Sequence, residues 1–236
     1  MRAFVVALAA VAAAYADGGN AIRVWPVDPL VKVFRDAKPA RPQKAHMDAA
    51  RGEYASFQVV VRADKPVAGL RAAVTPFVKG DDSFSARLPR FVGYVPVDRP
   101  TQKPSSDRLR PVPADYPDPL LESMNMDVVA GQAQPIWITV KVPEDTPPGT
   151  YRAKVGLVGD IDGRPVKATQ ALSLRVYRAT ITNTRLWVTE WFGVNSSHMK
   201  INPEKNSDAY YDLMRRFARN MAEHRHNVAI ISPMGH

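Results

Sequence analysis

The alternation in Gln134-Pro-Ile-Trp-Ile-Thr-Val-Lys-Val142 constrains the fold more than any other stretch. Ile136, Ile138, Val140 and Val142 fall on one side of an extended chain, and Trp137, Thr139 and Lys141 on the other, because successive side chains of a strand point to opposite faces. Shorter β-type runs surround it: Ile22–Trp25, Leu30–Phe34, Ser56–Arg62, Leu70–Thr75, Arg90–Val95, Tyr151–Val158 and Val166–Tyr177. Pro143–Gly149 reads as a turn, and Asp160-Ile-Asp-Gly-Arg164 carries an Asp-Gly hairpin signal. Many short strands with Gly and Pro punctuation and few helices predict a mostly β fold, with an N-terminal antiparallel β-sandwich over residues 17–182.

One segment breaks that rhythm. Pro96–Asn125 holds Pro100, Pro104, Pro111, Pro113, Pro117 and Pro119 and has almost no periodicity. It is too long for an ordinary connection. Its second half mixes prolines with apolar and aromatic residues, a composition that packs as an ordered lid or buttress.

Residues 183–236 follow a different pattern. Arg185-Leu-Trp-Val-Thr-Glu-Trp-Phe192 and Asn227-Val-Ala-Ile-Ile-Ser-Pro233 are β-type runs, and the span from Ser207 to His224 between them has helical spacing. Ser207 is placed to N-cap, with Asp208 and Asp212 in the first turns, where the helix dipole favours negative charge. Tyr210, Leu213, Met214, Phe217 and Met221 form one apolar stripe. The pattern is a βαβ unit, the truncated start of a larger parallel α/β domain, because a single such unit cannot cover both faces of its own strands. Loops at the carboxyl ends of parallel strands build active sites, so Glu190, Trp191, Asn195 and His198 are the candidate substrate-binding residues. Trp187 and Trp191 also read as core or interface residues, since large aromatics are usually well buried.

Composition excludes several classes. Cysteine is absent, which removes disulfides, thiolate metal sites and cysteine nucleophiles. His198 is isolated, and His224 and His226 are two apart on a helix end, so neither a metal nor a cofactor is expected. The formal net charge is +9, but Lys and Arg are scattered along the chain without an interleaved aromatic ladder. Solubility explains that charge better than nucleic-acid binding. Arg2, the apolar run Ala3–Ala14 and Ala14-Tyr-Ala16 read as an export signal over residues 1–16, cleaved before Asp17. The run is too short to anchor in a bilayer, no later segment spans a membrane, and the protein is expected to be secreted or periplasmic.

Five phrases, in order, carry a resemblance. They are Asp48-Ala-Ala-Arg-Gly-Glu-Tyr-Ala-Ser-Phe-Gln-Val-Val-Val61, Ala114-Asp-Tyr-Pro-Asp-Pro-Leu120, Gln134-Pro-Ile-Trp-Ile-Thr-Val140, Val142-Pro-Glu-Asp-Thr-Pro-Pro-Gly-Thr-Tyr151 and Phe217-Ala-Arg-Asn-Met-Ala-Glu-His-Arg-His-Asn227. Together the chain resembles glycoside hydrolase family 123-like proteins. The resemblance implies an N-terminal β-sandwich followed by a (β/α)₈ barrel, of which residues 183–236 would be the incomplete start. It implies a carbohydrate substrate and removal of terminal β-linked N-acetylgalactosamine with retention, the substrate's acetamido group acting as nucleophile. In the family an adjacent Asp-Glu pair orients that group and serves as general acid and base. No Asp-Glu dipeptide occurs in this sequence. No catalytic residue carries over, and the chain is expected to be inactive alone. The alternative is a non-catalytic carbohydrate-binding or scaffolding sandwich.

Overall fold

The computed structural model describes residues 21–40, 44–104, 106–182, 186–189 and 203–228. The export-signal segment and Glu190, Trp191, Asn195 and His198 lie outside the described residues. The chain divides into two units, Met1–Thr180 and Ile181–His236.

The first unit is built from strands. In chain order they are β1 Ile22–Val27, β2 Ala45–Arg51, β3 Tyr54–Ala63, β4 Val67–Val74, β5 Phe77–Lys79, β6 Asp82–Phe84, β7 Arg90–Val97, β8 Ala114–Leu120, β9 Met126–Val128, β10 Ala133–Lys141, β11 Gly149–Ile161 and β12 Arg164–Thr180. One sheet has the order β1-β3-β10-β7-β8; the other runs β2-β12-β11-β4-β9, with β5 added to β11 and β6 to β5. Neighbours are antiparallel except β2, which runs parallel to β12.

The two sheets share one core. The alternation of β10 holds: Ile136, Ile138, Val140 and Val142 are fully buried. They join Phe57, Val59 and Val61 of β3 and Tyr151, Val155 and Leu157 of β11 in a single cluster. An aromatic file runs through that cluster. The ring centroids of Phe57 and Phe77 lie 5.8 Å apart, those of Phe77 and Phe84 5.8 Å, and those of Phe84 and Tyr151 4.9 Å. The β11–β12 hairpin turns at Asp162 and Gly163, with φ of 54° and 75°. Two consecutive left-handed residues suit Asp-Gly and match the twist of the strands they join. The Gly163 N–H donates to Asp160 Oδ1 at 2.7 Å.

Strand β3 is buried on both faces: Phe57, Gln58, Val59, Val60 and Val61 are all 5% exposed or less. The second face is covered by the loop after β1, where Trp25, Val33, Val60 and Ala133 form a smaller cluster. This corrects the expected strand at Leu30–Phe34, which is irregular. Its polar backbone is satisfied without a ladder. The Gln58 Nε2 donates to Asp28 O at 3.1 Å and Val31 O at 3.0 Å, and the Val31 N–H closes a turn on Asp28 O at 2.9 Å. The apolar residues that suggested a strand are there to cover a sheet.

Part of the second half of the proline-rich stretch is a strand. Residues 114–120 form β8, paired with β7 at the edge of the five-stranded sheet. An edge is where Pro117 and Pro119 are tolerated, because a missing N–H there leaves no inner ladder bond unmade.

In the second unit, α1 spans Asp208–Glu223, capped by the Ser207 side chain accepting from the Tyr210 N–H. Leu213 is buried, Tyr210, Phe217 and Met221 are half-buried and Met214 is exposed. The runs expected as flanking strands lie mostly outside the described residues, and residues 186–189 and 227–228 are not strand. Asn227 nevertheless ties them together. The Val188 N–H donates to Asn227 Oδ1 at 2.8 Å, Asn227 Nδ2 donates to Leu186 O at 3.0 Å, and the Asn227 N–H donates to Val188 O at 3.1 Å. The carboxamide thus takes the place of a peptide group in a ladder. Trp187, expected as a core or interface residue, is 82% exposed.

Candidate functional site

The loop after β1, the middle of β7, the end of β8, β9 and the start of β10 enclose a half-open groove of about 320 Å³. Arg35, Tyr94, Asp127 and Gln132 supply its polar lining, and Pro119 and Leu121 part of its apolar wall. The wall closes tightly because β7 carries Gly93 at that point. A Cβ on Gly93 would sit 2.9 Å from both Leu121 Cδ2 and Pro119 Cγ.

Tyr94 anchors the groove. Its hydroxyl is 3.1 Å from both Val33 O and Ala133 O, and one proton serves the two acceptors in turn. Arg35 lies across its ring, with Cζ 4.1 Å from the centroid, a cation–π contact. The same guanidinium donates from Nε to Asp115 Oδ2 at 3.1 Å and from Nη1 to Gln132 Oε1 at 3.2 Å. The loop is laced to the proline-rich arm twice more. Arg110 pairs with Asp36 at 2.9 Å and stacks 3.9 Å above the Phe34 ring, and Lys32 donates to Pro117 O at 3.0 Å. The hydrogen bond from Arg110 is the main reason the Asp36 carboxyl is held below the usual carboxylate range. Each of these exposed pairs is weak alone; their function is to hold Arg35 and Phe34 in place.

Burial pushes the Tyr94 phenol up to about 12, although Arg35 opposes the shift. Between the ordinary tyrosine value near pH 10 and that raised value, the unfolded phenol ionises while the folded one keeps its proton. The unfolded chain is therefore favoured, and stability falls as pH rises through that window. Because the ring is partly exposed, the loss attributable to Tyr94 is expected to be about 1–2 kcal/mol rather than the full value of the shift. Denaturant unfolding of the protein and of Tyr94→Phe at neutral and at high pH measures it. The wild type should lose that much more than the variant; equal losses would mean that the phenol is accessible in solution.

Chemically the groove can bind and cannot hydrolyse by the two-carboxylate route. Asp127 is the one carboxylate among its lining residues, and its Oδ1 already accepts the Gly69 N–H at 2.7 Å, whereas glycosidic hydrolysis usually takes a pair. The polar groups of Arg35, Asp127 and Gln132 at a half-open, partly apolar groove suit a hydroxyl-rich ligand. No group of three or more His, Cys, Asp and Glu side chains among the described residues is placed to hold a metal ion.

The four residues singled out from sequence, Glu190, Trp191, Asn195 and His198, lie outside the described residues. The groove's own residues gave little signal, because Arg35 follows an apolar run and Tyr94 sits in an ordinary strand.

A family model described as the glycoside hydrolase 123 N-terminal domain matches residues 32–159. Among solved structures, a family 123 glycoside hydrolase from Clostridium perfringens, described in connection with glycolipid glycan hydrolysis, shares the fold with a TM-score of 0.55 and 15% identity. The match covers 67% of this chain and 28% of that one, so the chain spans little more than a quarter of that enzyme. AggA, the major subunit of aggregative adherence fimbriae type I from Escherichia coli, matches with a TM-score of 0.32 and 13% identity over 57% of this chain and 91% of that one. The CooA pilin subunit from enterotoxigenic Escherichia coli matches with a TM-score of 0.31 and 9% identity over 66% and 99%. Similarity at the level of these two carries no argument. No curated protein matches the chain.

Proposed function

We propose, for a chain that belongs to the glycoside hydrolase 123 N-terminal domain family, that its sandwich is the accessory domain of a secreted glycoside hydrolase. The observation that carries this is the family match over residues 32–159, which lies wholly within the first unit. By family resemblance the reaction is removal of terminal β-linked N-acetylhexosamine, N-acetylgalactosamine above all, by substrate-assisted hydrolysis with retention. The chain has no Asp-Glu pair to perform it, so the role proposed for these residues is to engage the glycan and support catalysis.

Residues 183–236 are proposed as the start of a (β/α)₈ barrel. In support, α1 is capped and amphipathic, and Asn227 draws the chain after the helix alongside the chain before it, as a β-α-β crossover does. Secretion or a periplasmic location is proposed from the export signal read at residues 1–16. Among the described residues no helix is long and apolar enough to cross a membrane.

A second reading, a non-catalytic carbohydrate-binding module, is favoured by the groove under Arg35 and Tyr94. One experiment tests both. An oligosaccharide ending in β-linked N-acetylgalactosamine should bind the purified chain, bind about tenfold more weakly after Arg35→Ala, and be recovered uncut. Failure to bind sinks the role assigned to the groove.

A further inference from the structure

The outer face of the seven-stranded sheet gathers cations that lie far apart in the sequence. Along β11 the core residues Tyr151, Ala153, Val155 and Leu157 alternate with Arg152 and Lys154, which are exposed. Arg175 and Lys167 of β12 and Arg71 of β4 share that outward side. Lys167 and Arg71 both pair with Val158, one from each side, and Arg175 pairs with Thr150. Strand geometry spaces Arg152 and Lys154 about 7 Å apart, and Lys167 and Arg71 about 10 Å apart. From Arg152 to the row of Val158 is about 20 Å.

The floor between these ends is flat. One row is Thr169, Gly156 and Ala73, and a Cβ on Gly156 would meet only Ala73 O, at 3.9 Å. Arg71, Arg152, Lys154 and Arg175 form no ion pair with another described residue. Asp48, in contact with His46, lies beside Arg175, and Asp160 lies beyond Val158. The face is still dominated by positive charge.

We propose that this face binds a linear uronic-acid polysaccharide laid along β11, its carboxylates meeting the cations in turn. The proposal rests on the reading of the protein as one that acts on glycans, and extends it to an anionic polymer at a second surface. Arginine forks match carboxylates in geometry as well as charge, and small residues leave the sugar rings a level bed. A single-stranded nucleic acid would call for an aromatic ladder. On this face the aromatic residue beside the cations is Tyr177, with Arg175 5.1 Å above its ring.

The test is affinity electrophoresis of the full chain through gels containing polygalacturonate, neutral dextran or duplex DNA. The chain should be retarded most by polygalacturonate, lose that retardation in high salt, and pass dextran freely. Arg152→Glu with Lys154→Glu should weaken retardation by more than about tenfold, since like charges then face the polymer. Arg71→Glu with Lys167→Glu, at the other end, should do the same. Lys103→Glu with Arg108→Glu makes the same change of charge in the exposed arm before β8 and should have less than about a threefold effect. Thermal melts confirm that each variant folds. No retardation by polygalacturonate, equal loss in all three variants, or tighter binding to DNA would each overturn the proposal. Binding of N-acetylgalactosamine at the groove is read separately, so this proposal and the function above fail independently.

Discussion

Phe77→Ala is expected to destabilise the protein by about 3–5 kcal/mol, as phenylalanine truncations in well-packed cores do. Phe77 is fully buried and stands between Phe57 of one sheet and Phe84 of the short β5–β6 hairpin. Removing its ring interrupts the aromatic file that joins β3 to Tyr151. Strand β5 holds only three residues and pairs with β11 at Arg152↔Val78, and the other ties of the hairpin, such as Lys79 Nζ to Pro148 O, lie at the surface and would not refill the space. For a domain of this size the midpoint of thermal unfolding should fall by about 10 °C. Leu88→Ala, at a residue 63% exposed, should change stability by less than about 0.5 kcal/mol. Equal effects of the two would mean that the sheets do not pack through this file.

Gln58→Leu is expected to cost about 1–3 kcal/mol, with the loss falling in one place. Leucine nearly conserves volume, but Asp28 O and Val31 O in the covering loop each lose the Gln58 donor, Asp28 O keeping only the Val31 N–H, and both remain partly desolvated. The ladder of β3 with β10, including Ile138↔Phe57, does not use that side chain. Amide exchange should therefore accelerate in the loop, for example at Ala37, whose N–H donates to Phe34 O at 3.0 Å, while the β3–β10 amides keep their protection. Because Arg35 rides on this loop, the groove should lose affinity as well. A uniform loss of protection across the sandwich would show that the loop is part of the core rather than a cover over it.

The contrast between these two residues shows what could be read from the chain. Phe77 lies in a strand too short to carry a periodic signal, yet Ile136, Ile138, Val140 and Val142 announced the core by strict alternation. The Asp162-Gly163 turn and the Ser207 cap were legible for the same reason: each rests on local backbone chemistry. What failed was long-range. Leu30–Phe34 had a strand's composition but found its partners in Gln58 and Tyr94, which no local pattern connects to it. Strand β2, rich in alanine with a central aspartate, has weak β propensity and exists because β12 offers it a parallel edge. The cations of the outer face looked scattered until strand register aligned Arg71, Lys167 and Arg152. The groove shows the same limit, since Arg35, Tyr94 and Gln132 converge only after the sheet is assembled.

The chain is expected to bind glycan and not to cut it. The direct measurement incubates the purified chain with an aryl β-N-acetylgalactosaminide and follows release of the aryl group. The expected rate is indistinguishable from buffer, because the chain has no Asp-Glu pair and its groove has a single carboxylate, Asp127, among its lining residues. Release that scales with protein concentration, and that disappears on substitution of any one carboxylate of this chain, would contradict it.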